Sequence, residues 1–314
     1  MTNYFRFENE SIQAIPDPLP RTDVNEVPQV AKENLRILCS AVSVCGQFVA
    51  FADDHKQLTI WSFPEKTLLK QYNLVRRANK VIFDKTASSI LVADKSGDVF
   101  RFDLNSEDQD GQCLMGHLSM LLDIKLSKCG KFIITCDRDE KIRVSHYPNA
   151  YNIHNFCLGH TDFVTCIALH QDTFLVSGSG DGTLRLWNYL KGKEIDQVSV
   201  AQDANLQPLE AEVDPKTHRT PWPSVLDIQK NETHLAVSLE AFQGIVLYQL
   251  NAEKFSFTRK LSITSALWSF RFLNFNELMF IQACDANPIV ILKLEDSKEM
   301  KVPMKNSQDF FKGK

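Results

Sequence analysis

The sequence lacks the features that mark most enzymes and most helical membrane proteins. None of its eight cysteines forms a CxxC pair, so the close ligand pairs preferred by structural zinc are missing. No metal ligands are expected. The opening run MTNYFRFENE has no basic segment leading into an apolar one, so no secretory leader is expected and the cysteines read as free thiols. No window approaches about 18 uninterrupted apolar residues, which excludes a helical membrane span. There is no GxGxxG or Walker-type run to cradle phosphate, and no paired acids outside turns, so an enzyme acting alone is disfavoured. No RNP-type aromatic platform is present to read single-stranded bases. An excess of basic charge is also lacking: 35 Lys and Arg face 39 Asp and Glu, a net charge of -4, which argues against a globally cationic nucleic-acid binder. Glycine is scarce, at 12 residues.

What is present is a globular composition, 44% hydrophobic and 24% charged, with 21 phenylalanines over 314 residues. It is organised as a repeat. The clearest unit, residues 158–188, reads LGHTDFVTCIALHQDTFLVSGSGDGTLRLWN. It contains an alternating strand at 163–169, a second at 173–179, a tight Asp181-Gly182 turn and a third strand ending at Trp187. The Trp187 position recurs backwards at Ser145, Phe102 and Trp61, in steps of 42, 43 and 41 residues. Forwards it recurs at Tyr248 and Leu292, in steps of 61 and 44. The long step accommodates a polar stretch at 191–223, read as one long loop.

A period of about 40–45 residues with four short strands per unit is that of a WD-type β-propeller, an all-β ring of modules that cannot bury their faces alone. Six units are legible. Residues 1–15 supply one or two more strands, a proline-rich linker covers 16–35, the propeller spans 36–295, and a basic tail covers 296–314. A seventh, thin blade assembled from both ends would close the ring and remove its open edges, with six blades as the alternative. In the complete unit His160, Ser179, Asp181 and Trp187 are expected to form a structural chain, turn Asp to His, His to Ser, and Ser to the indole N–H. That spacing favours the blade tetrad over a hydrolytic Ser-His-Asp set. The other units are degenerate: Phe102, Tyr248, Leu292 or Ser145 stands where Trp stands here, and the unit that keeps a tryptophan, Trp61, lacks the opening Gly-His.

The run GHLSMLLDIKLSKCGKFIITCDRDEKIRVSHYP, followed by FCLGHTDFV and SGSGDGTLRLWNY and preceded by VRRANK and LVADKSGDV, resembles the WD-repeat non-catalytic subunit of the tRNA guanine-N7 methyltransferase. The resemblance is close over residues 75–190 and weaker over 1–74 and 224–295. It implies a subunit that transfers no methyl group and needs no cofactor of its own. Such a subunit pairs as a heterodimer with a Rossmann-type catalytic partner that binds S-adenosylmethionine. It helps position tRNA for N7-methylguanosine formation in the variable region, mainly in the nucleus and also in the cytoplasm. Carried onto this chain, the docking residues are Asp137, Arg138, Asp139, Glu140, Lys141 and Arg143. Members commonly have a fuller N-terminal blade and a longer lysine-rich tail.

The residues themselves agree in one respect. Five consecutive charges occupy a turn that would ordinarily want Gly or Asn. Mixed charge on a rigid rim suits recognition of a complementary patch. Arg143 lies within the strand, where a bracing role competes with docking. Basic residues nearby, Arg76, Arg77, Lys80, Lys95, Lys125, Lys128 and Lys131, are candidates to neutralise RNA phosphate. The signal is weak, because residues 76–145 hold 12 basic and 11 acidic residues. A general WD scaffold, such as a ubiquitin-ligase substrate receptor, is the alternative reading.

Overall fold

The computed structural model describes residues 35–209, 221–251, 253–283 and 288–295, and the strand backbone at 4–8, 11–15 and 299–302. Six four-stranded antiparallel sheets follow one another along the chain: blades 1 to 6 at residues 37–73, 78–116, 121–157, 164–199, 225–262 and 267–302. The first strand of each blade lies against the first strand of the next, so these strands line the axis. The remaining strands step outwards in sequence order, as short hairpin connections require.

Each blade is apolar on both faces, so its sides are buried only by a neighbour. One apolar cluster therefore lies between each successive pair of blades. That between blades 4 and 5, for example, joins Leu184 and Leu186 to Val237 and Val246. The far flank of blade 6 holds a small cluster of its own, Ile289 and Ile291 with Met279 and Ile281.

The fold corrects the seven-blade expectation in favour of six. The N-terminal strands Tyr4–Glu8 and Ser11–Ile15 pair only with each other. The strand Glu299–Val302, inside the stretch read as a tail, is the outer strand of blade 6, so it completes that blade and founds no other. The stretch 191–223 is also not one loop. It begins with Lys193–Ser199, the outer strand of blade 4, and continues into the single helical turn Val200–Asp203 capped by Ser199. An outer strand is half solvated, so KEIDQVS carries no apolar alternation by which to recognise it.

The turns between second and third strands are built alike. Asp53, Asp94 and Asp137 each use Oδ1 to accept two amides, those of residues two and four positions on, at 2.8–3.1 Å. The residue three positions on is left-handed: Lys56 (φ 65°), Gly97 (φ 102°) and Glu140 (φ 68°). In this way an aspartate replaces the missing glycines as the organiser of the turn.

Candidate docking surface

The loops entering each blade and the turns between second and third strands share one face of the ring, by the antiparallel strand order. The 138–141 turn stands on this face. Arg138, Asp139 and Lys141 are exposed and Glu140 is half-exposed. Lys141 Nζ lies 4.0 Å from Asp139. The amide of Arg138 is tied to the carbonyl of Met120 on the entering loop. Leu118, on that same loop, is fully solvent-exposed. An apolar side chain held in water beside a mixed-charge turn is the composition of a docking rim. Sequence reading missed Leu118, because a single Leu in a loop carries no pattern.

The other two predicted docking residues turn inward. Asp137 is buried. Its Oδ2 accepts from His117 Nδ1 at 2.8 Å, while His117 Nε2 accepts from Thr135 Oγ1 at 2.8 Å. Burial pushes the Asp137 carboxyl up, but the bonds from His117 and from the amides of Lys141 and Asp139 outweigh this and leave it below the ordinary range. Arg143 is buried too. Its guanidinium donates to Ser145 Oγ (2.9 Å), to the carbonyl of Gly116 (3.0 Å) and to that of Ala150 (3.0 Å). It ties the end of the preceding blade at Gly116 to the loop at Ala150. Both residues shape the rim from beneath.

The tetrad of blade 4 forms with one member corrected. His160 Nδ1 donates to Asp181 Oδ2 at 2.9 Å, but the hydroxyl that meets His160 Nε2 (2.7 Å) and Trp187 Nε1 (2.8 Å) belongs to Ser177, not Ser179. The reason is register. Trp187 pairs with Leu175 across the hairpin, which makes Ser177 its diagonal neighbour. Ser179 lies two residues further along, about 6–7 Å beyond. It serves the turn instead, donating to the Asp162 carbonyl and accepting the Asp181 amide. Ser177 is buried and already bonded on both sides, so this set has no reachable nucleophile.

The seven basic candidates separate into three places. Arg76, Arg77 and Lys95 lie on loops and turns of the face that carries the rim, with Arg77 Nε bonded to the Asp54 carbonyl at 2.9 Å. Lys80 and Lys125 project from axial strands towards the buried Asp123, at 3.8 and 2.8 Å. Burial raises the Asp123 carboxyl, and Lys125 and Lys80 more than offset that, holding it below the ordinary range. The two lysines are thus partly neutralised within the ring. Lys128 and Lys131 sit in the turn Ser127–Lys131 on the opposite face. Among the described residues no group of three or more His, Cys, Asp or Glu could hold a metal, and no helix is long and apolar enough to cross a membrane.

The fold defines a WD-type propeller whose polar side chains organise its turns and leave the 138–141 turn exposed on one face. A solved structure titled "Crystal Structure of Mitotic Checkpoint Complex" shares the fold, with a TM-score of 0.70 at 12% identity over 91% of this chain and 82% of that one. The family model described as "tRNA methyltransferase TRM82 WD40 domain" matches residues 105–288, and the chain belongs to that family. Among its relatives is the Xenopus laevis tRNA (guanine-N(7)-)-methyltransferase non-catalytic subunit wdr4, 41% identical over 73% of this chain and 58% of that protein. The Homo sapiens WDR4 subunit is 35% identical over 85% and 64% respectively, and the Drosophila melanogaster subunit wuho is 44% identical over 50% and 38%. The chain thus spans less than two thirds of the length of these relatives.

Proposed function

We propose that this protein is a non-catalytic subunit of a tRNA guanine-N7 methyltransferase, acting in the nucleus as one half of a heterodimer. It holds the catalytic partner through the 138–141 turn of blade 3. The partner binds S-adenosylmethionine and carries out the methyl transfer, and this chain contributes a rigid surface beside the tRNA. The observation that carries the reading is the 138–141 turn, where four charged side chains stand on a backbone fixed from below by Asp137, while Arg143 holds the carbonyl of Gly116 just before the entering loop. A preorganised turn lowers the ordering cost of binding, and its mixed charge selects one complementary patch. The names of the relatives support the partner assignment. Contact with tRNA is assigned to Arg76, Arg77 and Lys95, which share the face of the turn.

The test is charge reversal on the rim. Arg138→Glu with Lys141→Glu, both exposed, should weaken co-purification with the tRNA guanine-N7 methyltransferase by about tenfold or more while leaving the melting temperature unchanged. Undiminished partner binding by the double variant would overturn the docking assignment. A methylation assay with tRNA and S-adenosylmethionine should give product only when the partner is added, and turnover by this chain alone would refute the non-catalytic reading.

A further inference from the structure

Blade 2 repeats the tetrad positions of blades 3 and 4 with the ring removed. Register identifies the equivalents. Phe102 pairs with Ile90 as Trp187 pairs with Leu175, and Val92 pairs with Phe100 as Ser177 pairs with Arg185. Leu74 stands where blade 3 has His117. The Leu74 amide donates to the Lys56 carbonyl at 2.7 Å and the His117 amide to that of Gly97 at 2.8 Å, and Lys56 and Gly97 are the left-handed residues of successive turns. The aspartate is kept. Asp94 matches Asp137, and its Oδ1 takes the amides of Ser96 (2.8 Å) and Asp98 (3.0 Å) as Asp137 Oδ1 takes those of Asp139 and Lys141.

The difference lies at the other carboxylate oxygen. In blade 3 Asp137 Oδ2 accepts from the His117 ring. In blade 2 no hydrogen bond among the described residues reaches Asp94 Oδ2, although Asp94 is only 2% exposed. Beside it is a cleft of about 180 Å³ lined by Leu74, Val92, Asp94, Phe100 and Phe102, with the exposed Arg76 also in its lining. A cavity of about 150 Å³ is enough to admit a benzene ring. The geometry points to a docking slot for an arginine side chain, supplied by a protein that binds the face carrying the 138–141 turn.

Three observations select arginine. The open acceptor is a carboxylate, which a guanidinium meets with parallel N–H donors. Two phenylalanine rings line the cleft, and a guanidinium lies flat against aromatic faces better than an ammonium does. The charge around the opening favours a cation. Asp110 lines the mouth, and Asp98 is close enough to help raise the Asp94 carboxyl above its ordinary range, an effect led by burial. Of the residues lining the cleft, two are carboxylates, Asp94 and Asp110, and one is a cation, Arg76, which is exposed and makes no hydrogen bond or ion pair among the described residues.

The experiment uses the full chain alone, with N-acetyl-arginine amide as the probe and N-acetyl-leucine amide as the control, following the backbone amide resonances of Lys95, Ser96 and Gly97. The arginine probe should shift them saturably with a dissociation constant of about 1 mM, the scale for a ligand of this size, and the leucine probe should not. Leu74→His, which places the missing ring in cis, should raise the melting temperature and weaken the arginine response at least tenfold. Asp94→Asn keeps an acceptor for the turn amides, should fold, and should weaken the response similarly. Equal responses to the two probes, or arginine binding of wild-type strength in a folded Leu74→His or Asp94→Asn protein, would overturn the slot. No partner protein enters the measurement, so its failure would leave the blade 3 docking reading untouched.

Discussion

His170 is the most informative position at which to perturb stability. It ends the axial strand Val164–His170 of blade 4, is 2% exposed, and has no hydrogen-bond partner at either ring nitrogen among the described residues. Its ring lies 6.4 Å from that of Phe174. Burial, reinforced by Lys230 and Lys128 from the two flanking blades, pushes its pKa from 6.5 down to about 4. The folded protein therefore refuses a proton that the unfolded chain accepts between pH 6.5 and 4. The resulting contribution to stability is complete above pH 6.5 and is lost as the pH falls towards 4, by about 3 kcal/mol in all and about 1.4 kcal/mol per pH unit at the steepest. At the same point of the turn other blades place Ser43, Asp84, Ser127 and Asn231, each accepting a backbone amide across the turn at 2.7–3.0 Å. His170→Asn puts such an acceptor in place of the imidazole. Urea unfolding of both proteins at steps from pH 7.5 to 4.5 is the assay. Every other titrating group is common to the two and cancels in the difference, so the variant should gain on the wild type steadily below pH 6.5. A constant offset across the whole range would refute the reasoning.

Ser177→Ala should cost about 2–3 kcal/mol, because it strands both His160 and Trp187, whereas Ser179→Ala loses only part-buried bonds within the turn and should cost about 1 kcal/mol; paired denaturant melts decide. Trp61 occupies the Trp187 position of blade 1, but its buried Nε1 has no partner among the described residues. Trp61→Phe should therefore lie within about 1 kcal/mol of wild type and Trp187→Phe should cost about 2 kcal/mol or more, again by denaturant melts. Arg143→Ala should cost about 3 kcal/mol and lower partner binding only in step with unfolding, as circular dichroism and co-purification measured together will show. Arg143→Lys should recover little of that loss, since an ammonium cannot reproduce the fixed fork that spans Gly116 and Ala150.

The period, the hairpins and the Asp181-Gly182 turn were legible in the chain because they are local; that Asp53, Asp94 and Asp137 organise the other turns was not. Strand alternation, an Asp-Gly turn and a recurring anchor at Trp187, Ser145, Phe102 and Trp61 need no knowledge of distant contacts. The exposed part of the docking turn was legible for the same reason, as five charges in a place that wants glycine. The orientation of each side chain was not. Ser177 and Ser179 share a face of one strand, and only the pairing of Trp187 with Leu175 selects between them. Asp137 and Arg143 look as available as Arg138 and Lys141 until the entering loop, with His117 and Gly116, is folded over them. Lys80 and Lys125 read as surface cations until the ring brings both to Asp123. The strand Lys193–Ser199 escaped notice because an outer strand is defined by its backbone pairing, and the C-terminal strand read as part of a seventh blade pairs into blade 6 instead. Blade number followed from how that pairing was distributed. The chain alone determined a repeating all-β unit, since hydrophobic period and turn chemistry act over a few residues. Tertiary structure decided which polar groups were satisfied inside and which faced a partner, because that depends on neighbours roughly 40 residues apart that meet only when the blades stack.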